Sequence, residues 1–65
     1  MYPEMVLVFM KDRKIVTAEA KKEGKFTEVT IDVILVGEYV RVHKFMKYVT
    51  YKLYIWRYIG NIVGV

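Results

Sequence analysis

The residues best equipped for chemistry crowd into one end of the sequence. Residues 39–65 hold five of the six tyrosines, the only tryptophan and the cations Arg41, Lys44, Lys47, Lys52 and Arg57, with no acid among them. Cations interleaved with aromatic rings can hold phosphates while stacking bases. The candidate nucleic-acid-binding residues are therefore Tyr39, Arg41, His43, Lys44, Lys47, Lys52, Tyr54, Trp56, Arg57 and Tyr58. Residues 1–38 carry six cations against seven acids, net −1, so the +4 of the chain resides in a tail that holds +5. A small basic nucleic-acid-binding protein is the reading this favours, with DNA and RNA both open. Tyrosine, tryptophan and arginine are equally the residues of protein interfaces. The alternative is a protein–protein or homo-oligomeric assembly module with the aromatic segment buried against a partner.

Catalysis finds little material. With one His, no Ser and no Cys, neither a Ser–His nor a Cys–His nucleophile pair can be assembled. Glu28 and Asp32 share a strand face, but four residues at about 3.3 Å rise separate them by roughly 13 Å. A paired-carboxylate hydrolase needs about 5–9.5 Å. Gly60 and Gly64 belong to no phosphate-cradling loop. His43 lacks partners at ligand spacing, and the absence of cysteine excludes thiolate zinc sites. No enzyme, cofactor or metal is expected.

Strands must position the tail. Residues 5–10, Met-Val-Leu-Val-Phe-Met, are too few for a lone helix and read as a buried strand. Lys11-Asp12-Arg13-Lys14 is a polar break with Asp placed to start a type I turn, and residues 15–20 continue as a second strand. Lys22-Glu23-Gly24-Lys25 reads as the next turn, Gly24 supplying the left-handed position of a three-residue loop. In residues 26–36, Val29, Ile31, Val33 and Leu35 alternate with Glu28, Thr30, Asp32 and Ile34, which is a strand with one core face. Gly37-Glu38 is either a two-residue turn with glycine first or a bulge. Tyr39 to His43 alternates again, Val40 and Val42 on one side and Tyr39, Arg41 and His43 on the other.

Residues 48–59 are the ambiguous stretch. As a strand, Val49, Tyr51, Leu53 and Ile55 share one face, with Tyr48, Thr50, Lys52, Tyr54, Trp56 and Tyr58 on the other. Their Tyr, Val, Thr, Ile and Trp content prefers pleated surfaces, so a strand is expected. Residues 43–48 contain no Gly, Pro or Asn to turn the chain, which keeps a helix over residues 43–59 as the alternative. The expected fold is all-β: one domain over residues 1–65, a small five-stranded bent sheet or barrel of the SH3-like or OB-like kind.

Composition sets the remaining bounds. Sixty-five residues that are 55% hydrophobic and 15% aromatic are not a disordered chain. The apolar runs 5–10, 29–36 and 62–65 exceed what one small core needs, so a homodimer is expected. The chain has no Ser, Gln or Cys and is rich in Lys and Glu, the compositional trend of hyperthermophiles, which points to an archaeal or viral source. No basic leader precedes an apolar segment, so a cytoplasmic location is expected. Lys47, Lys52 and Arg57 interrupt the apolar tail, leaving no run of about 20 residues to cross a bilayer. In size, basicity and aromatic content the chain is similar to the small basic chromatin proteins of hyperthermophilic archaea. The run Val6-Leu7-Val8-Phe9-Met10-Lys11-Asp12-Arg13 is similar to the opening hairpin of Sm-like proteins. Neither likeness includes a motif from which a functional residue could be carried over.

Overall fold

In the computed structural model, which describes residues 3–63, four strands follow one another as an antiparallel meander and a helix closes the chain. Strands β1 (Met5–Lys11), β2 (Lys14–Glu23), β3 (Phe26–Leu35) and β4 (Glu38–Lys47) lie side by side in that order. A 3₁₀ turn over Tyr48–Thr50 leads into α1 (Tyr51–Val63). The domain is mostly β, but its sheet is open and has four strands. The expected fifth strand over residues 48–59 is helix, so no five-stranded barrel forms.

All three hairpins are tight. Lys11 pairs with Lys14, and the two residues between them, Asp12 and Arg13, both take positive φ, 50° and 65°. That is the pattern of a type I′ turn, whose twist matches the flanking strands; the type I turn expected there would splay them. Glu23 pairs with Phe26, so the second turn is Gly24-Lys25, one residue shorter than expected, with Gly24 at φ +63°. Leu35 pairs with Glu38, so the third turn is Val36-Gly37. Glycine stands second there, at φ +76°, the sign a type II turn requires at that position. Of the two alternatives at Gly37-Glu38, a hairpin turn forms, one residue earlier than the sequence suggests, and no bulge. Beyond His43 nothing breaks β4, which runs on to Lys47 and pairs Phe45 with Glu28.

The core lies on one side of the sheet. Alternation sends Val16, Ala18 and Ala20 of β2 and Val29, Ile31 and Val33 of β3 inward, all buried. Opposite them α1 presents Tyr51, Ile55, Ile59 and Val63, four residues apart and therefore one stripe of a helix. The helix has no basic residue in its last turn. Lys14 of β2 supplies that charge, its Nζ donating to the Ile62 carbonyl at 3.1 Å, where a free carbonyl and the negative end of the helix dipole await a cation. Of the apolar end 62–65, Gly64 and Val65 lie outside the described residues.

Candidate nucleic-acid interface

Replacing the last strand by a helix divides the candidate residues between two sides of the molecule. Tyr39, Arg41 and His43 point away from α1, across the open face of the sheet, and each is engaged with an acid. The Arg41 guanidinium forks onto Asp32, Nε to Oδ1 at 2.7 Å and Nη2 to Oδ2 at 3.2 Å. The Tyr39 hydroxyl donates to the same Oδ1 at 2.9 Å. The Arg41 hydrogen bonds hold the Asp32 carboxyl below the usual carboxylate range, against a smaller desolvation effect and with help from Tyr39. Arg41 is in turn raised above its ordinary value, chiefly by its bond to Asp32. His43 Nε2 lies 3.5 Å from Glu28 Oε1, and its ring meets Phe45 edge to face. Lys47 ends β4 opposite Phe26, also on the open side. The single stacking surface expected from the sequence is therefore not assembled.

The other candidates gather on the helix side. Lys44 belongs by register to the inner face of β4 yet is exposed, its Nζ 5.0 Å from the centre of the Tyr54 ring, a cation–π arrangement. The Tyr54 and Tyr58 rings meet tilted by 39° with their centres 6.2 Å apart, and both are half-buried against the core, so they are walls rather than free platforms. Lys52, Trp56 and Arg57 are exposed, Trp56 at 54%. Between β4 and α1 runs a shallow groove lined by Lys44, Met46, Thr50, Leu53, Tyr54 and Arg57, two cations and no acid. Leu53, Met46 and Thr50 were not among the sequence candidates. The signal for Leu53 was helical spacing, since Leu53, Arg57 and Asn61 repeat every four residues beside Lys52 and Trp56.

At the start of α1 the chemistry is structural. The Tyr48 hydroxyl donates to Glu4 Oε1 at 2.9 Å, and that bond, with some burial, pushes its phenol up. Lys22 covers the Tyr48 ring at 4.4 Å. Tyr51 is raised by burial and then by the charge of Glu4, and among the described residues its hydroxyl has no hydrogen-bond partner. Among the described residues no group of three His, Cys, Asp or Glu stands together as a metal site, and no helix is long and apolar enough to cross a membrane.

Comparisons with protein-family models, with curated proteins and with solved structures give no match.

Proposed function

We propose that this is a small basic nucleic-acid-binding protein whose contact surface is the outer face of α1 with the β4 groove. Lys44, Lys52 and Arg57 meet phosphates, and Trp56 stacks on a base or sugar. The observation that carries the reading is the sign of the charge: α1 contains no acid, and its groove with β4 holds Lys44 and Arg57 unopposed. Arg41 and His43 drop out of the contact set, because Asp32 and Glu28 already occupy them. Tyr39 drops out with them, and Tyr54 and Tyr58 serve to hold the groove in shape. Thirteen residues make α1 about 20 Å long, enough to follow several nucleotides.

Titration of labelled mixed-sequence DNA and RNA, read by fluorescence anisotropy, tests this. Three phosphate contacts give a slope of log affinity against log salt of about −2.7 on duplex and about −2 on single strands. Between 50 and 200 mM salt, affinity should fall about 40-fold and about 20-fold respectively. No binding at tens of micromolar protein, or binding indifferent to salt, would refute the proposal.

A further inference from the structure

Among the described residues nothing covers the sheet face turned away from α1, although much of it is apolar. Cross-strand pairing lines up Met10, Ile15, Ile34 and Tyr39 as one row across all four strands. Val8 and Val6 extend that surface down β1, and Met10 and Val8 are 71% and 61% exposed. Phe45 and Phe26 are exposed at the far end. The next rows are polar but internally paired: Arg41 on Asp32, His43 beside Glu28, and Lys21 3.4 Å from Glu19.

We infer that this face docks against the same face of a second copy of the chain. Extent supports it first. Four strands spaced about 4.8 Å apart and up to about ten residues long present about 550 Å². Two such faces stacked hide about 1,100 Å², just above the roughly 1,000 Å² of a specific interface. Charge then selects the occupant. The face carries both signs nearly in balance, so it can lie on itself, whereas Glu19, Glu28 and Asp32 would repel a polyanion. The basic outer side of α1 could not be its own partner for the opposite reason.

Symmetry agrees in detail. A two-fold axis parallel to the strands sets β1 of one copy over β4 of the other and keeps each row facing itself in reverse. Ile15 then faces the partner's Ile34, and Met10 faces the partner's Tyr39. Thr17 faces the partner's Asp32, and Lys21 faces the partner's Glu28. The apolar row is thereby dried, and no like charges meet. Stacked sheets lie about 10 Å apart and rotate by about 30°, which shifts these pairs without exchanging them.

Sedimentation equilibrium from micromolar to near-millimolar protein tests the inference, with a dimer mass expected within that range. Ile34→Lys and, independently, Val8→Lys place an unpaired charge in the interface and should each weaken association at least about 100-fold. Both side chains are exposed in the single chain, so each variant should keep the wild-type far-ultraviolet circular dichroism. A chain that stays monomeric at near-millimolar concentration overturns the inference. So does a dimer indifferent to both lysines, since it would associate through another surface such as the free edge of β1. Neither measurement involves nucleic acid, so the outcome is independent of the binding proposal.

Discussion

Leu53 and Ile59 distinguish the helix from the strand that the sequence suggests for residues 48–59. As a strand, that segment buries Leu53 beside Ile55; as α1, it leaves Leu53 56% exposed and buries Ile59 to 2%. Truncating either residue to alanine removes the same three carbons, so the comparison isolates burial. For Ile59→Ala the transfer cost alone is about 2.4 kcal/mol, at about 0.8 kcal/mol per carbon. The cavity beneath the helix raises that into the range of about 2–5 kcal/mol. Leu53→Ala leaves no enclosed cavity, forfeits part of the transfer gain and should cost under about 1 kcal/mol. In a domain of this size each kcal/mol moves the melting temperature by about 4–8 °C. Ile59→Ala should therefore melt at least about 10 °C below wild type, or not fold, and Leu53→Ala within about 8 °C of it. The assay is thermal denaturation followed by far-ultraviolet circular dichroism. Equal losses, or a larger loss at Leu53, would refute the helical phase and the groove built on it.

Two further outcomes follow from particular side chains. The Tyr51 hydroxyl is buried with no partner among the described residues, so Tyr51→Phe should be neutral or stabilising by up to about 1 kcal/mol in chemical denaturation, and a clear loss would reveal a partner for that oxygen. Asp32, flanked by Arg41 and Tyr39 from β4 and Thr17 from β2, has its folded pKa depressed. Its stabilisation is therefore complete above the unfolded value near about 4 and is lost as pH falls through the lower folded value. Urea midpoints measured from neutral to acid pH should decline less steeply for Asp32→Asn than for wild type, and parallel curves would refute the linkage.

Much of the sheet was legible because strand periodicity is local. The alternation of Val29, Ile31 and Val33 with Glu28, Thr30 and Asp32 gave β3 and its inner face, and Val40/Val42 against Tyr39/Arg41/His43 gave the two faces of β4. Turn positions slipped by a residue where two glycine placements were both chemically sound: Gly37 can open a turn or, as here, stand second in one. Residues 48–59 went astray because β-branched and aromatic composition outvoted spacing. The stripe Tyr51, Ile55, Ile59 and Val63 is a regular helical one, but half of it lies beyond Trp56, where tyrosine and isoleucine still suggest a pleated surface. Packing against Ala18 and Ala20 settles the conflict, since small side chains on β2 leave room for a helix to lie close. The candidate site split for the same reason. Acids distant in sequence, Asp32 and Glu28, occupy Arg41 and His43 through strand register, which no reading of the tail alone could foresee.

Nucleic acid is proposed to meet the α1 side and not the open sheet face. This is tested by salt-dependent DNA binding of two variants that lose equal charge, Lys44→Ala with Arg57→Ala and Lys21→Ala with Arg41→Ala. The first pair removes two proposed phosphate contacts, so the duplex slope should shrink by about two and affinity at 50 mM salt should fall. The second pair lies on the far face, and its slope should equal that of wild type. A slope lost with Lys21 and Arg41 but kept without Lys44 and Arg57 would place the contact surface on the open sheet face instead.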